Sequence, residues 1–485
     1  MKPNIIVLLL DTARRDRVSC YSSNERETTP FIDSLTADGV KYEQAYSNSI
    51  WSLPAYASFF TGELPTEHGA VDWGKKIQKN TLVEGLNNEG YYTYSVSPHI
   101  ISGEFNIQQA FKGSEWVRKP DQDPPFEDDP ALERVHDERR AGELTSNIEK
   151  GKSLLKHMIR ERSWKTIPNG LFYLRREMRR QRGRWDDEGA EKVVRKSKNF
   201  ISGKEQPFFL FANFVEPHAP YRPPKGYVQR FLDENVTLKE MNRAIEKSFI
   251  GATAGEVEIA KTEREILKSL HDAELRYLDD KVKELFAHLE TEGITDETVV
   301  AIFSDHGDLW GEDGVWGHQA KTHEKLCNVP LIISYPWDTR TTSSEVVQLS
   351  SLHDHFLDLA IEKQTELTGG EALVEYYGWD TQLSISPWEE HENIDRDQYE
   401  AYQGVIVQDG YRLYWDATDT VKLYNIKKSE EVSEDNLNIV KRLQSRMEER
   451  VGTPKQNHKR YRDQETGVEM ENEELKQRLE DLGYF

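Results

Sequence analysis

Three apolar runs constrain this chain most, because each is too continuous to lie at a surface. Residues 5–10, 207–214 and 298–303 show no alternation of polar and apolar positions. That is the pattern of strands covered on both faces of a mostly parallel sheet. Each run is closed by polar residues: Asp11 after the first, Glu216-Pro217-His218 after the second, Ser304-Asp305-His306-Gly307-Asp308 after the third. Open α/β sheets place their ligands outside the carboxyl ends of their strands. Asp is also a good turn former, so Asp11 alone decides nothing.

The stretch from Ser52 to Gly62, SLPAYASFFTG, sets a hydroxyl beside a proline-rigidified turn and then runs into small and apolar residues. It predicts a helix start, where backbone N–H groups attract an anion and a serine can attack an anionic ester. A serine two residues before a proline also suits a plain helix N-cap. Asp305 and His306 offer a hard oxygen and a borderline nitrogen to a divalent metal, and Gly307 permits close backbone approach. A polar turn with a satisfied histidine is the alternative. His218, held between Pro217 and Pro220, is a candidate proton donor to a leaving group. His99 follows a strand expected at 92–97 and reads as a surface-loop histidine rather than a pocket residue.

With 485 residues, 36% hydrophobic and 10% aromatic, the chain can bury a large domain and a smaller one. Its net charge of −23 argues against nonspecific binding to nucleic acid or to anionic membranes, which need basic surfaces. Cys20 and Cys327 are its only cysteines, so no disulfide framework is expected. The first apolar run is too short to span a membrane and lacks a cleavage site, so a cytoplasmic protein is expected. Residues 119–198 shift to Asp-Pro-rich and then mixed-charge sequence, with a basic run at 175–184. They predict an insertion of surface helices, the basic run being a solvated face or a contact to an anionic substrate. A long amphipathic helix is expected within 255–293. Near the C-terminus, strands around Asp409-Gly410 predict a hairpin, followed by a helix and a charged tail from Pro454.

Several separated motifs resemble the sulfatase family of the alkaline phosphatase superfamily, in that family's order. They are Asp11-Thr12, Arg14 and Asp16, Thr29-Pro30, Trp51-Ser52-Leu53-Pro54, Phe60-Thr61-Gly62, His68-Gly69, His218-Ala219-Pro220-Tyr221, Ser304-Asp305-His306-Gly307 and Gly317-His318 with Lys321. The resemblance implies an α/β three-layer sandwich with a central, mostly parallel sheet. It implies a catalytic domain over 1–370 and a C-terminal subdomain with a small antiparallel sheet over 371–485. It further implies one divalent metal ion, manganese or calcium with zinc possible, held by Asp11, Asp305 and His306 and reached by Ser52 as nucleophile. His218 would protonate the leaving oxygen, and His318 and Lys321 would bind non-bridging oxygens. The substrate would be an anionic small-molecule, glycan or lipid ester.

The departures from the family pattern matter as much. The family's Cys-x-Pro-x-Arg, whose first residue is oxidised to formylglycine, stands here as Ser52-Leu53-Pro54-Ala55-Tyr56, so an unmodified serine becomes the expected nucleophile. Thr12 replaces a second aspartate, and His306 stands where many calcium sulfatases carry asparagine. Sulfate-ester hydrolysis, with Ser52 as the nucleophile or as a formylglycine precursor, is the leading expectation. A phosphodiesterase or phospho-alcohol transferase with unmodified Ser52 is the first alternative, and a non-catalytic domain binding anionic glycans the second.

Overall fold

The computed structural model describes residues 2–462 except 23–25, 73–76, 78–79, 99–106, 118–124, 127–128, 132–133, 136–137, 139–146, 162, 184, 186, 204–206, 319, 338–341, 364–366 and 379–395. His99 and the charged tail beyond residue 462 lie outside the described residues.

The three apolar runs are strands β1 (Asn4–Leu10), β5 (Phe208–Phe214) and β6 (Thr298–Phe303). The other strands of the large sheet are β2 (Gly39–Tyr46), β3 (Tyr92–Ser97), β4 (Gly113–Trp116), β9 (Asn328–Val329), β10 (Leu331–Ser334) and β11 (Thr342–Gln348). Their order is β11-β2-β10-β6-β1-β5-β3-β4, with β9 paired to β2, while β7 (Leu309–Glu312) and β8 (Val315–Gly317) form a separate two-stranded sheet. β1 lies between β5 and β6, parallel to both; β10 is antiparallel to both its neighbours. Leu10 is in register with Phe214 and Leu9 with Phe303, so the three central strands end side by side.

Alternate side chains of β1 enter two different cores, as the period of two demands. Ile5, Val7 and Leu9 face helices α1 (Ser52–Thr61), α2 (Leu82–Asn88) and α7 (Ser351–Ala360). Ile6, Leu8 and Leu10 face α5 (Ala190–Ser202) and α6 (Lys261–Glu292). The result is three layers, helices on both faces of the sheet. Asp279 of α6 accepts the Phe31 and Ile32 N–H groups at 3.0 and 2.8 Å, a structural role at the start of the short helix Pro30–Ser34.

Between β4 and β5 the chain forms two further helices, α3 (Asn147–Glu161) and α4 (Thr166–Gln181). The next helix, α5, buries Val193, Val194, Phe200 and Ile201 and covers the sheet instead of belonging to a surface layer.

The C-terminal sheet runs β12 (Glu371–Tyr376), β13 (Gln403–Gln408), β14 (Tyr411–Asp416), β15 (Val421–Asn425) and β16 (Glu430–Glu431), every pair antiparallel. Asp409 and Gly410 both adopt left-handed φ, 53° and 80°, which a two-residue hairpin of this twist requires. Helix α8 (Leu437–Val451) seals this sheet with Leu443 and Met447. The charged stretch after Pro454 begins as a further helix, Pro454–Arg462. There buried Tyr461 donates to Asp72 at 2.9 Å, a tertiary anchor that its charge pattern does not announce.

Candidate active site

The carboxyl ends of β1 and β6 bring Asp11, Asp305 and His306 together. One ligand atom from each lies within 4.8 Å of the others, and all three residues are buried. Asp11 follows β1, its N–H donating to Phe214 O at 2.9 Å. Asp305 Oδ1 accepts the Thr12 N–H at 3.3 Å and the His306 N–H at 3.0 Å. Its Oδ2 is buried with no hydrogen-bond partner among the described residues. A buried carboxylate oxygen without a proton donor is costly unless a cation faces it, so the donor set fits a divalent ion.

His306 is fixed from both sides. Its Nδ1–H donates to Gly307 O at 2.8 Å, leaving Nε2 with a lone pair directed at Ser52 Oγ, 3.0 Å away, and 3.5 Å from Asp305 Oδ2. Burial pushes the imidazole down to about 4, against the pull of Asp305, so the ring is neutral at physiological pH. Gly307 is required by space: a Cβ there would lie 2.0 Å from Lys325 O.

Ser52 is the first residue of α1, and Trp51 occupies the N-cap position without a side-chain capping bond. The serine hydroxyl therefore faces His306 and does not cap the helix. The preceding loop is sewn to the C-terminal sheet: Asn48 Nδ2 donates to Leu373 O at 3.0 Å, Ser49 Oγ to Glu375 O at 2.8 Å, and Glu375 N–H to Asn48 O at 2.9 Å. Tyr56, one turn after Ser52, is buried with its ring 5.9 Å from Phe211. The position that carries arginine in the family motif is thus part of the core.

His318 and His218 stand in line beyond His306. Ring centroids are 4.5 Å apart for His306 and His318 and 5.3 Å for His318 and His218. His218 Nδ1 donates to Ala219 O at 2.6 Å. His318 Nδ1 lies 3.3 Å from Asp308 Oδ1. Burial works against the Asp308 carboxylate, but His318 and Tyr221 outweigh it and hold Asp308 below the usual carboxylate range. Tyr221 donates its hydroxyl to Asp308 Oδ2, and Trp310 Nε1–H donates to the Tyr221 oxygen at 2.8 Å. The Arg14 guanidinium covers Trp310 at 4.1 Å and pairs with Asp16 and Glu312 at 2.8 and 2.7 Å. This support for His318 was not foreseen, although Arg14, Asp16 and Tyr221 lie inside motifs already singled out.

Lys321 is placed differently. Its Nζ is 3.3 Å from Asp313. It lines a cavity of about 250 Å³ with His323, Arg412 and Tyr424 that none of Ser52, His306 or His318 borders.

The sulfatase family profile matches residues 3–362. An arylsulfatase of Clostridium perfringens is 24% identical over 392 residues, covering 74% of this chain and 75% of its own. A choline-sulfatase of Rhizobium meliloti is 24% identical over 359 residues, covering 69% and 63%. In fold, the chain is similar to a phosphonate monoester hydrolase of Agrobacterium radiobacter, with TM-score 0.63, 14% identity and coverage of 92% and 94%. It is equally similar to a protein solved with its substrate D-glucosamine-2-N,6-O-disulfate, with TM-score 0.63, 16% identity and coverage of 96% and 99%. A profile match over most of the chain, on a three-layer fold whose strand ends gather Asp11, Ser52, Asp305 and His306, shows that this chain belongs to the sulfatase family of hydrolases, within the alkaline phosphatase-like superfamily.

Proposed function

We propose that this chain is a metal-dependent hydrolase of sulfate esters that works through unmodified Ser52, with Asp11, Asp305 and His306 as the protein ligands of one divalent cation. The 3.0 Å approach of Ser52 Oγ to His306 Nε2, beside the buried carboxylates, carries this reading. A bound divalent ion would offset the charge on the ester oxygens and ease ionisation of a nearby hydroxyl. Ser52 Oγ, its proton passing to solvent, forms the new bond to sulfur while the bond from sulfur to the alcohol oxygen breaks, its electron pair leaving with that oxygen. His218 gives the leaving oxygen its proton through Nε2. His318, kept in place by Asp308, donates through Nε2 to a non-bridging oxygen. Water then takes the sulfuryl group and restores the serine. Lys321, paired with Asp313, has no step here.

Buried Tyr56 in place of the motif arginine supports the unmodified serine. The same feature favours a second reading, hydrolysis of a phosphodiester or phosphonate monoester, for which a plain serine nucleophile suffices. The names of the arylsulfatase and choline-sulfatase relatives favour sulfate.

The test compares an aryl sulfate with an aryl phosphodiester under calcium, manganese and zinc, for the natural chain and Ser52→Ala. Sulfate turnover that a chelator abolishes, and that Ser52→Ala lowers by roughly 10³-fold or more, is expected. Turnover of the phosphodiester alone moves the assignment to the second reading. Undiminished activity in Ser52→Ala overturns both.

A further inference from the structure

Helices α3 and α4 form a hairpin that is built inside out. Among its described side chains the buried ones, Ser153, His157, Ser163, Thr166 and Asn169, are polar. Glu138 accepts from Ser153 Oγ and pairs with His157 Nε2 at 2.7 Å. Buried Asp129 accepts from Ser163 and Thr166 hydroxyls at 2.8 Å each and from Asn169 Nδ2 at 3.1 Å. Leu154, Met158 and Phe172 are half-buried, but most of the apolar surface points outward. Leu155 and Ile159 of α3, and Ile167, Leu171, Leu174 and Met178 of α4, are all exposed, Ile159 at 68% and Ile167 at 63%. Trp164, at the turn between the helices, is 64% exposed. On α4 the spacing of four, three and four residues aligns them in one stripe. The hydrogen bonds on the opposite face tie the hairpin to the segment that precedes it, at Asp129 and Glu138.

The stripe is rimmed by cations. Residues 147–182 contain eleven lysines and arginines against three glutamates, in a chain of net charge −23. Lys152 and Lys156 flank Leu155 and Ile159, and Arg175 and Arg179 flank Leu171, Leu174 and Met178; all four cations are exposed. The acidity of the whole chain therefore conceals a basic, apolar face.

We propose that this hairpin is an interfacial anchor that lies on the surface of an anionic lipid bilayer. Its stripe would enter the acyl-chain boundary, with Lys152, Arg175 and Arg179 at headgroup phosphates, while Lys156 lies 3.7 Å from Glu138. Basic residues beside a leucine-rich stripe, with a tryptophan at the turn, form the pattern that holds a helix in the interfacial plane. Among the described residues no helix is long and apolar enough to cross a membrane, so the hairpin lies on the bilayer and does not span it. A second copy of this chain is a poor occupant. A two-fold contact through the stripe would press one cationic hairpin against another. This inference does not depend on the catalytic reading, because its readout is binding.

The experiment is cosedimentation of the full chain with phosphatidylglycerol or phosphatidylcholine vesicles, at a salt concentration where circular dichroism shows the chain folded. Partition onto phosphatidylglycerol at least ten-fold above phosphatidylcholine is expected. Leu171→Ser with Leu174→Ser should reduce it to background, and Arg175→Gln with Arg179→Gln should shrink the preference for the anionic lipid. Both variants keep the dichroism spectrum and melting temperature of the natural chain, since all four side chains are exposed. Absence of binding to phosphatidylglycerol, or equal binding by the natural chain and both variants, overturns the proposal. So does a dimer in sedimentation velocity that Leu171→Ser with Leu174→Ser dissolves while no vesicle binds.

Discussion

Helices α1 and α4 both carry closely spaced apolar residues, yet they use them in opposite directions. Every residue of α1 is buried; the sheet, α7 and neighbouring aromatics enclose it. Phe59 packs against Phe60 and Phe303 at ring distances of 4.8 and 5.3 Å. α4 buries Thr166 and Asn169 and exposes Ile167, Leu171 and Leu174. In α1, apolar packing fixes the position of one hydroxyl, Ser52, at the end of a rigid element. In α4, buried hydrogen bonds do the positioning, and the apolar surface is left for contact with something outside the chain. The comparison teaches that the same residue types serve either to hold a site or to be one, according to which face carries the satisfied polar groups.

If α1 is a packing element, Phe59→Ala should cost about 3–5 kcal/mol through lost contact and a residual cavity. Urea denaturation measures it. A cost below 1 kcal/mol would break the contrast.

A middle-sized effect is expected where the insertion rejoins the sheet, at Glu216, whose carboxylate accepts the Ala190 N–H at 2.6 Å. Burial, reinforced by Asp187, pushes this carboxyl up to about 8. The folded chain thus keeps a proton that the unfolded chain releases near pH 4.5. The stabilisation from that proton is complete below the unfolded value and lost as pH rises toward 8. Thermal melts from pH 5 to 9 should show declining stability, and Glu216→Gln, which still offers an oxygen to Ala190, should flatten the decline. An unchanged slope would remove Glu216 from the account.

The smallest effect belongs to the exposed stripe. Leu171→Ala should change folding stability by less than about 0.5 kcal/mol. A cost comparable to that of Phe59→Ala would mean that the stripe is packed against something within the chain.

Much of the frame was legible in the residues. The expected strand at 92–97 and the run at 298–303 became β3 and β6, because a strand buried on both faces has no choice but continuous apolarity. The helix sought within 255–293 runs Lys261–Glu292 and ends at Gly293 with φ 70°, a left-handed terminator that the residue type itself suggests. Asp11, Asp305 and His306 could be proposed together because each follows a predicted strand end. The grouping of Asp308, Tyr221, Trp310 and Arg14 around His318 was not legible, since it joins three chain segments whose approach no local period encodes. Nor was the partner of Lys321 legible: its ammonium lies 3.3 Å from Asp313, on the loop between two short strands.

By itself, then, the sequence determined the alternation of sheet and helix, the polar ends of the central strands and the hydroxyl at the head of α1, because these follow from local period and turn chemistry. Only the tertiary structure decided that Ser52 faces His306 instead of capping its helix, that Tyr56 fills the core, and that the stripe of α4 points outward. A period of 3.6 residues says that a helix has two faces; which face meets the body depends on partners such as Asp129, distant in the chain and adjacent only once it has folded.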